Sequence, residues 1–78
     1  MITPNLCRAA RHLLGWKQED LARRSDLAVN TIRQFESGKT STPHRTTLKT
    51  IQTTFEAAGL EFITRDGEPV GVQIVGEK

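Results

Sequence analysis

Three side chains that can hydrogen-bond to the edges of bases lie close together in one short stretch. Asn30, Arg33 and Gln34 are three and four residues apart, so they share one face if this stretch is helical. Asn and Gln can bind adenine through two hydrogen bonds, and Arg can bind guanine in the same way. Val29, one residue earlier, can contact a thymine methyl group. The residue types do not decide which side chain meets a base and which meets a phosphate.

Two short helices are predicted here, over residues 18–24 and 29–36. Their apolar residues recur at helical spacing. These are Leu21, Ala22, Ile32 and Phe35. The corner between the helices, residues 25–27, is short, and Asp26 falls where a left-handed residue is expected. Gly38 suits the left-handed position after the second helix. The pattern is that of a helix-turn-helix, which places its second helix in the major groove of DNA.

Two further helices are predicted, over residues 4–14 and 46–58. The apolar face of the first comprises Leu6, Ala10, Leu13 and Leu14, and that of the last comprises Leu48, Ile51, Phe55 and Ala58. Thr46 or Thr47 is expected to cap the last helix. Trp16, between the first two helices, is expected to fill part of the core.

The sequence resembles the Xre family, which includes the phage repressors and Cro. The matching residues are Gln18, Leu21, Ala22, Leu27, Asn30, Thr31, Ile32, Glu36, Ser37 and Gly38, and the resemblance covers roughly residues 6–59. It implies a mainly α, four- to five-helix, repressor-like DNA-binding domain. Two positions depart from the family pattern, because Lys17 stands where Ser or Thr is usual and Asp26 stands where Gly is usual.

The resemblance also implies roles for individual residues. Arg11 would pair with Glu36 in a structural ion pair, Gln18 would touch the DNA backbone, and the loop after the recognition helix would follow the phosphates. The full set of predicted DNA contacts is Lys17, Gln18, Val29, Asn30, Thr31, Arg33, Gln34, Lys39, Thr40, His44 and Arg45.

After Gly59 the apolar period changes to two, which predicts a β-hairpin over residues 60–75 and a tail at 76–78. A two-residue loop at Asp66-Gly67 would put Phe62 and Val72 on opposite faces. A three-residue loop, 65–67, would pair Phe62 with Val70 and gather five apolar residues on one face, so it is the expected loop. These are Leu60, Phe62, Val70, Val72 and Ile74. That face, with two-fold pairing of the strand edges, is expected to make a homodimer. Whether the hairpin joins the 1–59 domain or serves only as a dimerisation element stays open.

Charge is distributed unevenly along the 78 residues. Residues 1–59 hold nine basic and five acidic side chains, a net of +4, whereas residues 60–78 hold two and four, a net of −2. The helical part is therefore the basic part, as a protein that binds nucleic acid needs.

The remaining residue types favour neither an enzyme nor a cofactor protein. Cys7 is the single cysteine, so no intramolecular disulfide can form, and it is expected to be a small helix residue in a reducing cytoplasm. His12 and His44 belong to no cluster with metal-ligand spacing. No phosphate loop, nucleophile motif, signal peptide or membrane span is predicted.

The leading functional hypothesis is a dimeric repressor that binds an inverted-repeat operator on double-stranded DNA. An alternative is the antitoxin of a toxin–antitoxin pair that regulates its own operon, with a toxin as partner. A controller of a restriction–modification operon fits the length but not the hairpin. A module that binds only proteins would use the same helices as a scaffold and would show no salt-dependent binding to DNA.

Overall fold

The computed structural model describes residues 2–38 and 44–76. Its helices are α1 (Pro4–Leu14), α2 (Gln18–Ser25), α3 (Val29–Ser37) and α4 (Arg45–Ala57), and an antiparallel hairpin of β1 (Leu60–Arg65) and β2 (Glu68–Ile74) follows them. The predicted mainly α fold with a C-terminal hairpin is confirmed.

Left-handed residues end the first three helices. Gly15, Asp26 and Gly38 have φ angles of 70°, 61° and 74°, so the conformation expected at Asp26 and Gly38 is present. The predicted cap of α4 at Thr46 or Thr47 was wrong, because the helix begins one residue before its expected start, at Arg45. His44 occupies the capping position and makes no side-chain capping bond.

One hydrophobic core contains residues from all four helices and the hairpin. On α1 the buried residues are Cys7 and Ala10, and Leu14 packs beside them. Leu13 is 44% exposed, contrary to expectation. The physical reason is the helical period, since Cys7, Ala10 and Leu14 follow one stripe at spacings of three and four, and Leu13 lies at its side.

Aromatic rings connect the helices to the hairpin. The Trp16 ring stacks on Phe55 of α4 at a centroid distance of 5.7 Å, and Phe55 meets Phe62 of β1 edge-on at 6.3 Å. Trp16 thus packs against the core, as expected for a residue between the first two helices. The hairpin shares this core with the helices.

The predicted hairpin register was wrong. The loop has two residues, Asp66 and Gly67, with φ angles of 54° and 81°, as a type I′ turn requires. A β-bulge then leaves Val70 as an extra residue, so that Phe62 faces Val72. The bulge restores apolar pairing that a two-residue loop without it would have lost.

This register divides the residues that were predicted to form one dimer face. Leu60 and Phe62 are buried in the core of their own chain, at 3% and 9% exposure, and Val72 packs partly against that core. Val70 and Ile74 are exposed. Leu60 and Phe62 therefore offer almost no area to a second chain.

Candidate nucleic-acid interface

The outer face of α3 presents the side chains that could contact bases. Asn30, Arg33 and Gln34 are all exposed, whereas Ile32 and Phe35 on the opposite face are buried. Because the inner face is anchored in the core, the polar face has a fixed orientation. It offers amide and guanidinium groups that can donate hydrogen bonds to purine edges.

Two other candidates on α3 are less accessible. Thr31 is partly buried, at the boundary of the two faces. Val29 is also partly buried and packs against the core. Much of its side chain is thus already in contact with the protein, which limits the area it could offer to a thymine methyl group.

The start of α2 combines a cation with free backbone amides. Lys17 is exposed at the capping position, and its backbone amide donates to Asp20 Oδ2 at 2.8 Å. That bond, together with one from Arg23 at 2.9 Å to Oδ1, lowers the pKa of Asp20. The amides of Gln18 and Glu19 precede the first backbone bonds of the helix, so they remain for water or a phosphate.

Glu36, near the end of α3, binds donors from two other helices. Its Oε2 accepts from Arg11 Nε at 2.7 Å and from Cys7 Sγ at 3.1 Å, and its Oε1 accepts from Arg11 Nη2 at 2.8 Å and from Gln18 Nε2 at 3.2 Å. Arg11 Nη1 also donates to the carbonyl of Trp16 at 3.1 Å. The structure therefore contains the Arg11–Glu36 ion pair, as part of a larger network that we call the Glu36 cluster.

Electrostatics keeps the Glu36 cluster charged and its thiol neutral. Burial opposes ionisation of Glu36, but hydrogen bonds from Arg11, Cys7 and Gln18 together outweigh it and lower its pKa. The bond to Glu36 raises the pKa of Arg11. Burial and the neighbouring carboxylate raise the pKa of Cys7 well above its ordinary value. Cys7 is thus a buried hydrogen-bond donor, and the cluster fixes α1, α2 and α3 relative to one another.

Arg8 makes a second connection to the end of α3. Its guanidinium donates to the backbone carbonyl of Glu36 and to Asn5 Oδ1. The last carbonyls of a helix lack partners within the helix, so Arg8 satisfies one of them. This contact was not predicted from the sequence, where its single signal is that Arg8 lies three residues before Arg11 on the same helix.

The remaining predicted DNA contacts lie at the starts of α2 and α4 and in the sequence between α3 and α4. His44 and Arg45 are exposed at the start of α4. Lys39 and Thr40 lie outside the described residues. Gln18 is partly buried and its side-chain amide is bonded to Glu36, so a phosphate at this position would meet chiefly its backbone amide.

Two negative observations concern residues 2–38 and 44–76. No group of three or more His, Cys, Asp or Glu side chains there could hold a metal ion. None of the described helices is long and apolar enough to span a membrane.

Comparison with known proteins identifies the family. No curated protein matched the sequence. The family model described as helix-turn-helix matches residues 8–57, from within α1 to the end of α4. The match covers α2, α3 and every residue of the Glu36 cluster except Cys7. The chain belongs to the helix-turn-helix family, of the Xre/Cro-like type.

Proposed function

We propose that the protein is a dimeric transcriptional repressor whose α3 reads a specific DNA sequence. The family supports DNA binding and transcription regulation. The observation that carries the proposal is the exposed set of Asn30, Arg33 and Gln34 on a helix whose other face is buried. A cytoplasmic location is part of this proposal.

In this proposal α3 lies in the major groove and α2 rests on the DNA backbone. Side chains of α3 bond to base edges and provide sequence specificity, because each base pair presents a distinct pattern there. Lys17 and the free amides at the start of α2 meet one phosphate, while His44 and Arg45 meet others. These phosphate contacts release counterions, so affinity falls steeply as salt rises.

One recognition helix contacts only a few base pairs, so we expect two copies of the protein to bind together. Two copies related by a two-fold axis would place their α3 helices in successive major grooves, about 34–36 Å apart, and would select an inverted repeat. When such a dimer occupies a promoter, it represses transcription by excluding RNA polymerase.

The test separates base contacts from phosphate contacts. Asn30→Ala should weaken binding to the cognate site by about 1–3 kcal/mol and should change binding to random DNA little. Arg45→Ala is the matched control, because loss of a phosphate contact should weaken both DNAs alike and flatten the salt dependence. If both variants weaken cognate and random DNA equally, base reading by Asn30 is wrong.

The hairpin favours a second candidate, an antitoxin that regulates its own operon. The hairpin lies after the matched residues 8–57. The resemblance to the Xre family implies this candidate, because some antitoxins of that family add a short β element after the helices. A toxin gene beside this one, whose product forms a stoichiometric complex with the protein, would support this candidate. Normal growth on expressing the neighbouring genes without this protein would count against it.

A further inference from the structure

We propose that the hairpin of one protomer docks in a groove beside α4 of its partner, and that this reciprocal contact forms the dimer. The α4 groove has a volume of about 640 Å³ and runs along α4, with Trp16 and Arg24 on its other side. The proposal rests on the dimer of the proposed function and names the surfaces that form it.

The lining of the α4 groove is largely apolar and carries two cations. Arg24 and Lys49 are its charged residues, and none of the described residues that line it is acidic. The Arg24 guanidinium is held 4.7 Å from the Trp16 ring centroid, which fixes its position. The hydroxyls of Thr50 and Thr54 donate to α4 carbonyls one turn earlier, at 2.9 and 2.8 Å. Two of the four threonines that line the groove thus use their hydroxyl protons within α4, and the two cations suit an acidic occupant.

The hairpin has the complementary composition. Among the described residues, five large hydrophobic side chains are exposed, and four of them lie on or directly after the hairpin strands. These are Ile63, Val70, Ile74 and Val75, at 44–58% exposure. Residues 60–76 also hold three acidic side chains and one basic, a net of −2. An exposed surface that is both apolar and acidic matches a groove that is largely apolar and carries two cations.

The groove and the hairpin are neighbours on the same chain, so one continuous two-fold interface could contain both. The groove ends at Ala57 and Ala58, and β1 begins at Leu60. Phe62 packs on Phe55 of its own chain, which holds the hairpin on the core. A two-fold axis beside the end of α4 would therefore make the hairpin-to-groove contact twice. The two contacts together would cover both surfaces and set the separation of the two α3 helices.

Paramagnetic broadening between protomers tests the contact. A nitroxide is attached to Gln73→Cys on the exposed face of β2, and this chain is mixed with isotopically labelled chain that carries no nitroxide. Cys7 is fully buried, which protects it from the reagent. We expect amide signals of Thr53 and Ala57 in the isotopically labelled chain to broaden. The control nitroxide at Ala9→Cys, exposed on α1, should leave them unchanged.

A charge reversal provides the second readout. Lys49→Glu places an acid opposite the acidic hairpin, so the dimer dissociation constant without DNA should rise on the order of tenfold or more. Arg33→Glu makes the same charge change on the exposed face of α3 and should leave dimerisation unchanged.

The outcomes distinguish this inference from the proposed function. A dimer that keeps its affinity in Lys49→Glu, or whose groove signals do not broaden, overturns the groove contact and leaves the dimeric repressor standing. Broadening confined to β1 or β2 amides would assign the dimer to strand-edge pairing instead. A chain that sediments as a monomer at millimolar concentration, free and on DNA, overturns both the inference and the dimer, while specific binding of that monomer to DNA would keep α3 as the reading element.

Discussion

Removing one member of the Arg11–Glu36 pair should destabilise the fold strongly. Glu36→Met deletes the carboxylate that accepts from Arg11, Cys7 and Gln18. Arg11 would then be an uncompensated cation with a side chain only 12% exposed. Arg11→Met has the converse effect, because it leaves the carboxylate of Glu36, 3% exposed, without its cation. Both variants replace a charged side chain by an unbranched apolar one.

The expected size of the effect follows from this burial. Breaking a buried ion pair by removing one partner costs about 3–5 kcal/mol, and the partial exposure of Arg11 favours the lower end. A domain of this size has an unfolding free energy of about 4–12 kcal/mol. A loss of about 3 kcal/mol would lower Tm by roughly 12–24 °C.

The assay is a double-mutant cycle followed by thermal and urea melts. Arg11→Met combined with Glu36→Met leaves neither charge buried, so the double variant should be more stable than either single variant. Glu56→Gln is the matched control, because Glu56 is an exposed glutamate on α4 and its loss should cost no more than about 0.5 kcal/mol. If the two single losses simply add, to within about 0.5 kcal/mol, the ion pair is not a stabilising unit and this reasoning is refuted.

Three smaller predictions concern single positions. Hydrogen bonds from Arg11, Cys7 and Gln18 lower the folded-state pKa of Glu36, so its contribution to stability is complete at neutral pH and is lost as the pH falls through the folded pKa. Thermal melts at decreasing pH should show this loss in the wild type and a shallower decline in Glu36→Met. Asp26→Gly should stabilise the fold by up to about 1 kcal/mol in urea melts and Asp26→Ala should destabilise it, because residue 26 is left-handed; the reverse order would contradict this. Gly67→Ala should cost about 1–2 kcal/mol, and Gly76→Ala, where no positive φ is required, should cost less; equal losses would contradict the turn assignment.

The helices could be predicted closely because their signals are local. Gly15 and Gly38 end their helices in left-handed conformations, and apolar spacing identified the buried faces of α2, α3 and α4. Asp26 could be recognised as the corner residue by its position between two apolar patterns. These signals depend on backbone sterics and on helical period, so they need no knowledge of tertiary contacts.

The hairpin register could not be predicted in the same way. A three-residue loop and a two-residue loop with a bulge both place Leu60 and Phe62 on one face with Val72. Alternation of apolar residues does not distinguish them. Counting residues without a bulge excluded the two-residue loop, although Asp66 and Gly67 are well suited to it.

The Glu36 cluster was predictable only in part. The resemblance supplied the Arg11–Glu36 pair, but the bonds from Cys7 and Gln18 depend on how three helices meet. Cys7 and Gln18 lie 29 and 18 positions before Glu36 in the chain, so no local sequence pattern indicates these contacts. The same limit applies to Arg8 and the carbonyl at the end of α3.

The central claim is that α3 reads a DNA sequence, and selection from a random DNA pool tests it most directly. The wild-type protein should enrich one motif, an inverted repeat whose half-sites are centred about 10–10.5 base pairs apart. Asn30→Ala, carried through the same selection, should relax the preference at one base pair of each half-site and keep the spacing. The claim would be contradicted if the DNA recovered with the wild type showed no enriched motif at a salt concentration where the protein still binds DNA.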